Sequence, residues 1–187
     1  LASLVGTCAV LVSFNVEKRP KEFFGLLLLM VGGISGAFSS LDLFFFYVFH
    51  ELALIPTFLL VGFWGGPGRR EAAIKMTLFL GIGSLVLLLG LIGLYLKSGA
   101  HPTFYIPTLI EHYRSSPLND FDQQILFGIL FVGFASLVGL VPLHIWAPDG
   151  YAEAPPAAAM IHAGVLKKFG IYGLMVTAIP MLPEGYA

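Results

Sequence analysis

The chain has 187 residues, 57% of them hydrophobic and 11% charged, with a formal net charge of −1 at pH 7, and its mean hydropathy is +0.88. Such a composition excludes a globular domain with a solvated surface and places the chain in a bilayer. The near-neutral charge gives nucleic acid no footing, and a single cysteine, Cys8, excludes a disulfide framework, a thiolate metal site and an iron–sulfur cluster.

The sequence begins at Leu1, already inside an apolar run, and reads as a piece of a longer membrane protein cut at both ends. Residues 1–14 are too few to cross about 30 Å of hydrocarbon at about 1.5 Å per residue and read as part of a truncated helix. The polar run NVEKRPKE follows, then a Leu/Gly-rich helix over 23–38 that stops at SSLD, where Ser39, Ser40 and Asp42 offer caps to the next helix. That helix, over 43–64, is LFFFYVFHELALIPTFLLVGFW, with His50 and Glu51 inside it.

WGGPGRRE makes a turn carrying Arg69 and Arg70, and a further helix is expected over 72–96. About 25 mixed residues then run outside or along the membrane surface, with a short interfacial helix over 104–113. Another apolar stretch, 124–141, breaks at Pro142. The non-periodic VPLHIWAPDGYAEAPP leads into a last helix over 157–179. The expected architecture is therefore all-α, one integral membrane domain over 1–187 with roughly six transmembrane segments, the first truncated and one broken. No internal repeat, soluble domain or low-complexity tract stands out.

Loop charge sets the sidedness. Lys18, Arg19 and Lys21 lie in one loop and Arg69 and Arg70 in another, two helices apart and so on the same face, which should be cytoplasmic. The 39–42 connection carries no cation and falls on the other side, although Lys97 and Arg114 there weaken the contrast.

An ionisable group at mid-bilayer costs several kcal/mol and normally faces protein or water with a partner. Glu51 stands near the middle of its helix, and Pro56 frees the Leu52 carbonyl beside it, loosening the helix where a proton site needs wettable backbone. Lys167 and Lys168 fall half-way along the last helix, too deep to snorkel easily. A lysine whose acidic partner approaches and retreats changes its proton affinity, which is a pump element; a Glu51 that simply stays protonated, or a lysine–carboxylate pair that only locks two helices together, is the plainer alternative for these residues. His162 lies six residues before Lys168, about 120° away on an ideal helix, and serves equally as a packing residue. Lys75, near the start of its helix on the basic face, is explained by snorkelling as well as by proton transfer. His144, Asp149 and Glu153 lie in or beside the proline-rich break, whose irregular backbone is tolerated at membrane depth only against protein or a wet cavity, a feature of many ion transporters. Asp149 and Glu153 read equally well as solvated loop residues.

Phosphate-binding loops, nucleophile elbows, zinc spacings and nucleotide fingerprints are absent, so no cofactor and no metal is expected. A haem between two of the scattered histidines has no motif behind it.

FHELALIP, WGG…RREAAIK, VPLHIWAPDGYAEAP and AGVLKKFGIYGL, in that order and spacing, resemble the antiporter-like membrane subunits of respiratory complex I, above all the subunit called M in bacteria and 4 in mitochondria and chloroplasts. The resemblance implies a fold of about fourteen transmembrane helices in two inverted five-helix repeats, most of the first being present here, with 43–64 as the fifth helix, 124–141 as the broken seventh and the last as the eighth. It implies proton translocation in an NADH:quinone oxidoreductase with no redox centre in this chain, in a bacterial inner membrane, among neighbouring membrane subunits. It matches Glu51 to the fifth-helix glutamate, Lys168 to the eighth-helix lysine and Lys75 to a sixth-helix lysine. The seventh-helix lysine that would pair with the glutamate is replaced by Leu137, and Lys167 is the candidate substitute cation. The same resemblance leaves open a cation/proton antiporter, a membrane-bound hydrogenase or a non-conducting structural paralogue.

Overall fold

The computed structural model describes residues 1–99 and 102–186; His101 lies outside them. The described residues form helices α1 (Ala2–Val12), α2 (Pro20–Ser39), α3 (Leu43–Trp64), α4 (Arg69–Leu96), α5 (Ile106–Ser115), α6 (Asp120–Val138), α7 (Trp146–Glu153) and α8 (Pro156–Gly164). A 3-10 turn (Leu166–Lys168), α9 (Phe169–Gly173), a π turn (Leu174–Ala178) and α10 (Ile179–Met181) continue the last span. Five spans, α2, α3, α4, α6 and Pro156–Met181, are long and apolar enough to cross a membrane, and α1 is a shorter apolar helix. The chain is a multi-pass membrane protein.

Lipid tails give no hydrophobic push between helices, so association rests on close backbone approach at small residues. Gly33 of α2 lies against the backbone of Phe49 and Ala53 on α3, and Gly133 of α6 against the backbone of Leu87 on α4. At both places a side chain would have to enter the neighbouring helix. The outward face of α4 is a stripe of exposed Leu78, Ile82, Leu85 and Leu89, while Met76, Leu80, Leu87 and Leu91 are buried, a 3.6-residue pattern with lipid on one side.

The two basic loops meet on one face, as their charge predicts. Trp64 Nε1 donates to the Lys18 carbonyl at 2.6 Å and Lys18 Nζ donates to the Phe63 carbonyl at 3.3 Å. On the opposite face Asp42 caps α3, its Oδ1 accepting from the backbone of Phe44 and Phe45. Beside it the Leu43 amide donates to Phe104 and the Ile106 amide to Leu41, each at 2.9 Å. Helix α5 lies there with Ile106, Leu109 and Tyr113 buried. The Tyr113 hydroxyl donates to the Leu94 carbonyl at 2.6 Å, and burial pushes its pKa up to about 12.

The first break comes slightly earlier than Pro142. Helix α6 stops at Gly139, whose φ of 73° is left-handed and whose amide bonds back to the carbonyls of Ala135 and Ser136. After the turn, Trp146 is fully buried and its Nε1 donates to the Ser136 carbonyl at 3.1 Å, which plants α7 against the end of α6. Pro148 sits in the first turn of α7, where its missing N–H costs nothing.

The last span is not the continuous helix expected from its composition. At Val165 (φ −130°, ψ −60°) the backbone leaves helical geometry, and a 3-10 turn carries Lys167 and Lys168 before the helix resumes. Packing holds this geometry. Phe169 is buried between the Phe46 ring, centroids 4.3 Å apart, and the His50 ring, 4.0 Å apart, which occupy one face of α3 a turn apart. Such aromatic contacts contribute about 0.5–1.5 kcal/mol each beyond area burial.

Candidate proton-transfer site

Glu51 and Tyr47 are one helical turn apart on α3, and both face Ser84 of α4. The Ser84 hydroxyl donates to Glu51 Oε1 and lies 3.0 Å from the Tyr47 hydroxyl. A serine has one hydroxyl proton; with that proton on the carboxylate, Tyr47 donates to Ser84. His50 is the neighbouring residue, its Nδ1 3.4 Å from the same Glu51 Oε1, with the His50 side chain 2% exposed against 29% for Glu51. Hydroxyl, hydroxyl, carboxylate and imidazole thus form one line through the α3–α4 interface.

The second group lies across α7, α8 and the 3-10 turn. Buried His162 shares a 2.9 Å hydrogen bond, through Nδ1, with the Tyr151 hydroxyl, and its ring stands edge-on to Trp146. Lys167 Nζ lies 5.7 Å from the centroid of the Tyr151 ring. Lys168 is exposed and lines a cavity of about 310 Å³ with Leu1 of the α1 end and Ile34, Ser35 and Phe38 of α2.

Two expectations about partners change. Among the described residues the ion pairs are Arg19–Glu22, His50–Glu51, Lys75–Asp149 and Lys97–Asp122, so Lys167 does not pair with Glu51. Its place over Tyr151 follows from the break at Val165, which turns it toward α7. Asp149 and Glu153 are not merely solvated. Lys75 Nζ donates to Asp149 Oδ2 at 2.6 Å. Glu153 accepts from the Gly66 amide through its carbonyl and from the Gly68 amide through Oε2, both at 2.9 Å, fastening the α3–α4 turn to α7.

Lys75 precedes Ser84 by nine residues on α4, about 13 Å along the axis, and so belongs to the basic rim and not to the Glu51 line. Leu137 is buried at 3% exposure. Tyr47 was findable in the sequence from its i, i+4 spacing to Glu51, whereas Ser84 and Tyr151 carry no local signal, since tertiary packing alone brings them in.

The class so defined is a multi-pass helical membrane protein with a hydrogen-bonded carboxylate inside one span and two lysines at a break in another. Residues 40–186 match the model of the NADH:quinone oxidoreductase/Mrp antiporter transmembrane family, and the chain belongs to that family. It is 39% identical to NADH-quinone oxidoreductase subunit M of Rickettsia felis over 93% of this chain and 34% of that one. To F(420)H(2) dehydrogenase subunit M of Methanosarcina mazei it is 40% identical over 98% of this chain and 37% of the relative. A chain of respiratory complex I from Thermus thermophilus superposes with a TM-score of 0.82 at 37% identity, covering 99% of this chain and 37% of that one. The chain spans about a third of the length of these relatives.

Proposed function

We propose that the whole protein is a proton-translocating membrane subunit of an NADH:quinone oxidoreductase, driven by electron transfer in other subunits and seated in a bacterial inner membrane with its basic loops in the cytoplasm. Residues 1–187 are one membrane domain of that subunit, part of its antiporter-like half. Protons, the bilayer and neighbouring antiporter-like subunits are its partners. The observation that supports this best is the Tyr47–Ser84–Glu51–His50 line, a carboxylate kept hydrogen-bonded inside a span where an unpaired one is costly.

Glu51 holds and releases the proton. His162 and Lys167, gathered around Tyr151, form the next group. Lys168, exposed at its cavity, hands the proton toward the rest of the subunit. Lys75 steadies the rim. In reconstituted complex, Glu51→Gln and Lys168→Ala should each lower the proton-to-electron ratio while complex abundance stays unchanged. Wild-type ratios in both variants would overturn the reading.

One observation favours a second reading, a structural subunit that anchors neighbours without conducting. Buried Leu137 stands where the resemblance puts a lysine. The same two variants separate the readings, because a structural subunit loses assembly and not coupling.

A further inference from the structure

Resting on that reading, we propose that His50 is the proton-exchange partner of Glu51. His50 is 2% exposed, and its Nδ1 is buried with no hydrogen-bond partner, although Glu51 Oε1 lies only 3.4 Å from it. A buried donor or acceptor left unpaired costs about 1–3 kcal/mol. The structure places that cost against the one carboxylate inside α3, and a small rotation of the carboxyl closes the gap to hydrogen-bond distance.

The ring is held for this task. Its face stacks on Phe169, the residue after Lys168, so its position is set by the segment that carries both lysines. Tyr47 on α3 and Ser84 on α4 complete the polar group around this pair. None of the lysines or arginines forms an ion pair with Glu51 among the described residues, which leaves the imidazole as its acid–base counterpart.

The step balances without another reagent. Protonated Glu51 gives its Oε1 proton to Nδ1 of neutral His50, producing carboxylate and imidazolium. Nε2 on the far edge of the ring then releases a proton to internal water, leaving the imidazole with its proton on Nδ1. Return of a proton to Nε2, with Nδ1 handing its own back to Oε1, resets the pair. Ser84 stabilises the carboxylate during the exchange through its hydroxyl.

Two variants of the full-length subunit in the assembled complex test this. His50→Asn keeps a hydrogen-bond donor near Oε1 but cannot exchange the proton, and His50→Phe keeps the stack on Phe169. Both should lower proton-coupled turnover at least about a hundredfold, the low end for a positioned acid–base group, and His50→Asn combined with Glu51→Gln should be no worse than Glu51→Gln alone. Wild-type turnover in His50→Asn would mean that the ring only packs and hydrogen-bonds, which overturns the proposal. If variants fail to assemble, infrared spectra of the wild-type complex with isotope-labelled histidine still decide. Loss of a carboxyl band together with gain of an imidazolium band upholds it; independent titration of the two overturns it. Should Glu51→Gln and Lys168→Ala both leave the proton-to-electron ratio intact, the translocation reading falls, and the infrared result still judges the exchange between His50 and Glu51.

Discussion

Lys75 and Asp149 are joined Nζ to Oδ2 at 2.6 Å, across 74 residues of sequence, and so tie the start of α4 to the short helix after the break. Both side chains are partly exposed, 35% and 55%. A pair so open to solvent contributes about 0–1 kcal/mol. Lys75→Ala and Asp149→Ala are expected to lower the melting temperature of the purified complex only slightly, with the double variant no worse than either alone. Proton-to-electron ratios should stay near wild type; a loss as large as that of Glu51→Gln would move Lys75 into the proton path.

Ser84→Ala removes the hydroxyl on Glu51 Oε1 and strands Tyr47 as well. A hydrogen bond to a charged group is worth about 1.5–3 kcal/mol. Coupled turnover should fall by about tenfold or more, and Ser84→Thr should recover most of it by keeping a hydroxyl. Equal failure of the alanine and threonine variants would point to packing alone.

Glycine positions along the helices should split sharply. Gly133→Ala forces a methyl group into the Leu87 backbone and is expected to cost about 1–3 kcal/mol, the range for overpacking. Gly81→Ala meets nothing within 4 Å and should be neutral or stabilising by up to about 1 kcal/mol through helix propensity. Thermal melts of the detergent-solubilised complex distinguish the two.

The clamp at Glu153 predicts protease behaviour. Removing its carboxylate with Glu153→Ala frees the Gly68 amide and loosens the turn that leads to Arg69 and Arg70. Trypsin added to inside-out vesicles should cut there faster than in wild type, and trypsin outside right-side-out vesicles should not. Cleavage from the outer side would reverse the orientation given by loop charge.

Tyr113 gives an alkaline signature. Its phenol is raised by burial from 10.0 to about 12 in the folded chain. Between those pH values the unfolded state has lost the proton that the folded state keeps, so stability present below pH 10 declines as pH rises toward about 12. Tyr113→Phe should remove that part of the alkaline slope in denaturation profiles while also losing the bond to Leu94.

Much of this was readable in advance because the bilayer makes strong demands. Apolar length marked the spans, Asp42 marked a cap, and cations in two loops placed them on one face, where Trp64 and Lys18 indeed meet. Glu51 announced itself by the cost of its position. Partners were not readable, since Ser84 lies 33 residues away and Asp149 lies 74 from Lys75. The break at Val165 was hidden for a similar reason. No proline marks it, and it follows from Phe169 being held between Phe46 and His50, a packing fact with no local sign. Lys167 is a cation where the resemblance lacks one at Leu137, but composition does not say where its side chain goes, and it lies over Tyr151 instead of pairing with Glu51.

Val165 divides the last span into two bodies joined through one residue. The two lysines therefore leave the span from a 3-10 turn, Lys167 toward Tyr151 of α7 and Lys168 toward the cavity beside α2, two directions of departure from neighbouring positions.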